Sequence, residues 1–132
     1  PKNHLKLMQR KLLIADDEVH IRMLLEQTLE DLEEEGIELL HARNGEEAVE
    51  IIQAEHPQLV FLDYNMPRMT GIDVCHRIKK ELGMTGVYIV LLTGNGQDTD
   101  RVEGLSAGAD RYLTKPFDPG MVSNLAGEVF DL

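Results

Sequence analysis

The chain has one cysteine among its 132 residues, and that scarcity excludes any internal disulfide and any metal site built from several thiolates. Nothing here approaches the length of an apolar membrane span, and no secretory pattern precedes the first strand-like segment. Basic residues are few: 13 Lys and Arg face 24 Asp and Glu, a net charge of -11. A face that grips nucleic acid needs the opposite balance, so direct nucleic-acid binding is not expected. Repeats, low-complexity tracts and Ser- or Pro-rich linkers are missing too. What remains suits one cytoplasmic domain over residues 11–132, preceded by a flexible lead-in over residues 1–10.

Much of the acidity lies in LEQTLEDLEEEGIE, residues 25–38, and reads as a solvated helix end. Around it, apolar runs alternate with amphipathic segments. Leu12 to Ala15 is a continuous apolar run, as in a strand buried on both faces. Ile21, Leu24, Leu25, Thr28 and Leu32 follow at the spacing of one helical stripe, which Gly36 ends. Ile37 to Leu40 predicts a second strand, placed at an edge by Glu38. Asn44 is a candidate cap for a helix carrying Ala48, Ile51 and Ile52, bounded by Pro57.

Leu59 to Leu62 predicts the third strand. Val74, Cys75, Ile78 and Leu82 then form a stripe closed near Gly83. The run VYIVLL, residues 87–92, is strongly strand-like. A helix from about Thr99 to Ala107, a short strand at residues 111–113, and a stripe through Met121, Val122, Leu125 and Val129 complete the chain. Alternation of this kind predicts a parallel sheet with helices on both faces, a three-layer α/β/α sandwich.

Ligands of such sheets bind beyond the carboxyl ends of the strands. There the chemistry collects: Asp16, Asp17 and Glu18 after the first strand, Asp63 after the third, Thr93 closing the fourth, and Lys115 with Pro116 after the fifth. A strand has to end somewhere, and Asp is a good turn residue. That accounts for one position and not for all of them. Clustered carboxylates raise each other's pKa unless a cation compensates, and oxygen ligands without His or Cys point to a hard divalent ion such as Mg²⁺. The five histidines show no metal-ligand spacing. With Mg²⁺ in place, Asp63 could act as a nucleophile, with Lys115 and Thr93 contacting phosphoryl oxygens.

The segments LLIADDE, VFLDYNMPRMTG, VLLTGN and GADRYLTKPF together make the chain resemble a response-regulator receiver domain of two-component signalling, over about residues 11–130. The resemblance implies a flavodoxin-like fold with strand order 2-1-3-4-5. It implies that Asp63 is the phosphoacceptor, and that Asp16, Asp17, Asp63 and the main-chain carbonyl of Asn65 hold Mg²⁺. It also implies a switch hydroxyl at Thr93, a phosphoryl contact at Lys115, a switch aromatic at Tyr112 and a cis Lys115–Pro116 bond. The function implied is phosphorelay: a sensor histidine kinase, a phosphotransfer protein or a small phosphodonor would phosphorylate Asp63. The surface of the fourth helix, last strand and last helix would then change for a partner or output domain. Such a domain is not an enzyme acting on other molecules; it catalyses its own phosphorylation and dephosphorylation only.

Arg111 stands where receivers joined to winged-helix DNA-binding domains often carry a second Asp, which argues against dimerisation through the charged face used in that group. Three other classes compete with this reading. Haloacid-dehalogenase-like phosphatases also use a nucleophilic Asp, but they place an acid/base Asp two residues later, where this chain has Asn65. A nucleotide-binding module would need a glycine-rich phosphate loop after the first strand, and there is none. A degenerate receiver used only for interaction is opposed by the intact set Asp16, Asp17, Asp63, Thr93 and Lys115.

Overall fold

A computed structural model describes residues 9–94 and 98–132, with the side chains of residues 98–101 left undescribed. Most of the lead-in expected over residues 1–10 lies outside the described residues. Gln9 is described, and Arg10 opens the first strand. In chain order the elements are β1 (Arg10–Ala15), α1 (Val19–Leu29), β2 (Ile37–Ala42), α2 (Gly45–Glu55), β3 (Leu59–Asp63), α3 (Gly71–Cys75, continued by a π-helical turn over His76–Glu81), β4 (Tyr88–Thr93), α4 (Asp98–Ser106), β5 (Arg111–Thr114) and α5 (Pro119–Val129). The five strands form one sheet in the order β2-β1-β3-β4-β5, every pairing parallel. Fold class and strand order are those expected.

The strand side chains alternate between two cores, as the period-2 geometry of a strand requires. Leu12 and Ile14 of β1, Leu59 and Phe61 of β3, and Val90 and Leu92 of β4 face α1 and α5. Leu13, Ala15, Val60, Leu62, Ile89 and Leu91 face α2 and α3. All of these are fully buried, which explains why the central strands read as unbroken apolar runs. Cys75 lies within the second core.

The first helix departs from expectation. Its buried residues are Leu25 and Leu29, with Ile21 half-buried in line behind them, while Leu24 is 41% exposed. Positions 21, 25 and 29 recur every four residues and share one face; Leu24 is rotated off it. The helix breaks at Glu30, and a separate helical turn, Asp31–Glu34, carries Leu32 onto the core before Gly36 turns the chain at φ +83°. The second strand runs two residues further than expected, to Ala42, because Ala15 of β1 still has a partner there. Met121 is exposed, and Ala126 occupies the core position beside Val122 and Leu125.

Caps fix where the helices begin. Asn44 Oδ1 accepts from Glu47 N at 2.8 Å to start α2. Thr70 and Asp73 form a reciprocal capping box at α3, with both bonds at 3.2 Å. Further on, α3 widens: Leu82 N donates to Arg77 O, five residues back, at 2.9 Å. Among the described residues no helix is long and apolar enough to cross a membrane.

Candidate functional site at the carboxyl ends of the strands

Because all strands run the same way, the residues that end them meet at one edge. Asp16 follows β1, Asp63 ends β3, Thr93 ends β4 and Lys115 follows β5. Asp16, Asp63 and Thr93 are the buried polar residues of the described chain, exposed by 0%, 4% and 1%. Lys115 Nζ donates to Asp16 Oδ2 at 2.9 Å and to Asp63 Oδ1 at 3.0 Å. Lys115 is held by its main chain as well, since its N–H bonds Thr93 O at 2.6 Å. The Lys115–Pro116 bond is cis, as expected.

Every polar atom of Asp16 is engaged. Its N–H bonds Ala42 O at 3.1 Å, Oδ1 accepts from Glu18 N at 2.9 Å, Oδ2 takes the Lys115 ammonium, and its carbonyl accepts from Arg22 Nη1 at 2.6 Å. Such bonding offsets the cost of burying a carboxylate. No sequence signal marks Arg22, which stands one helical turn after Glu18; only the folded turn brings its guanidinium to the Asp16 carbonyl. Asp17 and Glu18 are exposed beside Asp16, and one ligand oxygen from each of the three lies within 4.8 Å of the others.

The electrostatics follow from burial and crowding. Burial, then the charge of Asp16, pushes the Asp63 carboxyl up to about 7, and Lys115 only partly opposes this. Burial also raises Asp16, against its bonds to Lys115 and the Glu18 amide. For Lys115 burial favours the neutral amine, but its bonds to Asp16 and Asp63 outweigh that and hold the ammonium above its ordinary pKa. One ammonium therefore serves two buried carboxylates with a third beside them. An all-oxygen, net-negative pocket of this kind suits a hard divalent cation.

The remaining expected residues are placed around this centre. Asn65 is exposed in the turn after β3. Tyr112 is half-buried on β5, opposite Leu91 of β4 in the sheet register. Gly71 begins α3 so close to the phosphoacceptor candidate that a Cβ there would stand 2.5 Å from Asp63 O. Tyr64, next to Asp63, reaches α4: its hydroxyl donates to Glu103 Oε2 at 3.0 Å. No sequence signal marks that pair, since nothing in the spacing of residues 64 and 103 announces a contact.

A doubly wound parallel sheet whose carboxyl edge gathers Asp16, Asp63, Thr93 and Lys115 defines a class of signalling domain. The family model for the response regulator receiver domain matches residues 12–126, and the chain belongs to that family, whose general function is phosphorelay signalling. The chain is 43% identical over 115 residues to the probable transcriptional regulator ycf27 of Cyanophora paradoxa, covering 87% of this chain and 46% of that protein. It is 39% identical over 116 residues to the alkaline phosphatase synthesis transcriptional regulatory protein PhoP of Bacillus subtilis, covering 88% and 46%. The chain thus spans less than half the length of these relatives. Among solved structures, a putative response regulator from Chloroflexus aurantiacus superposes with a TM-score of 0.81 at 31% identity, over 93% of this chain and 98% of that one.

Proposed function

We propose that Asp63 is the phosphoacceptor of a Mg²⁺-dependent phosphorelay step, receiving its phosphoryl group from a sensor histidine kinase, a phosphotransfer protein or a small phosphodonor. The observation that supports this best is the placement of Asp63 at a strand end, against Asp16 and within 3.0 Å of the Lys115 ammonium. Asp16, Asp17, Asp63 and the Asn65 main-chain carbonyl would hold the Mg²⁺. When bound, the ion supplies positive charge that favours ionised carboxylates and offsets the charge of an incoming phosphoryl group.

An oxygen of ionised Asp63 attacks phosphorus. The new O–P bond forms as the P–N bond of a phosphohistidine, or the P–O bond of acetyl phosphate, breaks. The leaving imidazole or acetate keeps the electron pair, and imidazole takes a proton from solvent. Lys115, already on Asp63, is placed to bond a phosphoryl oxygen, and the Thr93 hydroxyl at the end of β4 to bond another. Movement of Thr93 makes room for Tyr112, and the surface of α4, β5 and α5 changes for a downstream partner or output domain. The domain turns over only its own phosphoryl group and acts in the cytoplasm, without contacting nucleic acid or membrane itself.

The test is intact-mass measurement after incubation with Mg²⁺ and acetyl phosphate. Wild type gains one phosphoryl group; Asp63→Asn, which keeps the shape but not the nucleophile, gains none. Labelling of the variant at the wild-type level would overturn the assignment.

A further inference from the structure

The Tyr64 side chain joins two parts of the molecule that phosphorylation would move relative to each other. Its main chain is an anchor. Tyr64 N donates to Leu92 O and Tyr64 O accepts from Gly71 N, both at 2.8 Å. Gly71 is pressed so closely on this segment that a Cβ would stand 2.5 Å from Asp63 O and 3.0 Å from Tyr64 Cα. The residue is therefore fixed to β4 on one side and to the start of α3 on the other. Its hydroxyl donates to Glu103 Oε2 of α4 at 3.0 Å, a bond on the exposed side of the helix whose acceptor is a carboxylate.

Glu103 sits where α4 lies tight against the sheet. A Cβ on the next residue, Gly104, would come within 2.6 Å of Leu91 Cδ1, so the helix rests directly on β4. Thr93 ends that same strand and leads toward α4. A rearrangement that starts at Thr93 and carries α4 away from the sheet would stretch the Tyr64–Glu103 bond, because the Tyr64 main chain stays fixed to β4 and α3. Beyond about 3.5 Å a hydrogen bond is effectively lost.

We propose that the Tyr64–Glu103 hydrogen bond is a tether that holds α4 in its unswitched place and so sets how readily the domain responds to a phosphoryl group; this rests on the reading of Asp63 as phosphoacceptor. A ligand shifts an equilibrium only by its differential affinity for the two states. A bond present in the unswitched state and broken in the other subtracts from the response of the wild type. Removing it leaves the unphosphorylated fold intact and lets the same ligand drive the switch further. An ordinary surface hydrogen bond would contribute only to local stability and leave ligand affinity unchanged.

The experiment is a titration with beryllofluoride, a phosphoryl mimic, in the presence of Mg²⁺, followed by NMR of the backbone amides. It is run on wild type, Tyr64→Phe, Glu103→Ala, Glu103→Gln and the Tyr64→Phe/Glu103→Ala double variant. Tyr64→Phe and Glu103→Ala should each tighten binding by roughly two- to tenfold, the scale of one hydrogen bond. The double variant should be no tighter than the tighter single one, and Glu103→Gln, whose amide oxygen still accepts, should stay nearer wild type. Unchanged or weaker binding in the single variants overturns the tether, as does a double variant equal to the product of the two. Asp63→Asn separates the two readings: a titration like wild type's there refutes the phosphoacceptor assignment and the tether with it.

Discussion

Asp16 and Asp63 share one ammonium: Lys115 Nζ stands 2.9 Å from an oxygen of the first and 3.0 Å from an oxygen of the second. Two carboxylates buried against each other with one cation between them cannot both be ionised without cost. The pocket thus favours a proton on one of the two, and its first measurable consequence is a dependence of stability on pH.

In EDTA, the native state holds a proton on Asp63 up to about pH 7, whereas the unfolded chain releases it near 3.8. Between those values the native state binds more protons, so stability is highest below the window and falls as pH rises through it. The slope is at most about 1.4 kcal/mol per pH unit for one proton. Melting temperatures measured from pH 5 to 8.5 should fall for wild type and change less for Asp63→Asn, and added Mg²⁺ should restore the wild type at pH 8. A wild-type stability that climbs from pH 5 to 7 would contradict this account of Asp63.

Thr93 is 1% exposed and ends β4, the strand paired with β3, and under the proposed function its hydroxyl would register a phosphoryl group on Asp63. Thr93→Ala should still be labelled at Asp63, since the nucleophile and Lys115 are intact, but should switch poorly. NMR of residues 98–117 with Mg²⁺ and beryllofluoride checks this. Identical shifts around Tyr112 in wild type and variant would remove Thr93 from the relay.

Gly71 has no room for a side chain, with main-chain oxygen 2.5 Å and Leu91 Cδ2 2.8 Å from the position of a Cβ. Gly71→Ala must push the Asp63–Tyr64 segment or α3 aside. Overpacking of this kind costs about 1–3 kcal/mol. Urea unfolding should show that loss, and phosphorylation by acetyl phosphate should slow, because the displaced oxygen belongs to Asp63, the proposed phosphoacceptor. An unchanged midpoint would mean that α3 shifts freely.

The pocket was legible because its members are chemically out of place. A carboxylate ending an apolar strand, as Asp16 and Asp63 do, has no packing reason to be there, and parallel strands necessarily bring such ends together. The helices were legible only to within a face. Leu24 and Leu25 are equally apolar, and the sequence does not say which one the sheet buries; Leu29 decides it by extending the four-residue line through Leu25. The π-helical turn after Cys75 has no residue signature. Tyr64 with Glu103 and Arg22 with the Asp16 carbonyl were invisible because each depends on how loops and helices lie on the finished sheet.

Cys75 is wholly buried in the core between the sheet and α3, and burial pushes its thiol up to about 12. A thiol that stays protonated and out of reach of solvent does not react with maleimides or alkylating probes while the protein is folded. The wild-type chain is therefore a silent background for thiol chemistry. A cysteine placed on the outer side of α4 would be the one that takes a spin label or fluorophore, so the movement proposed for that helix can be tested without first removing a native residue.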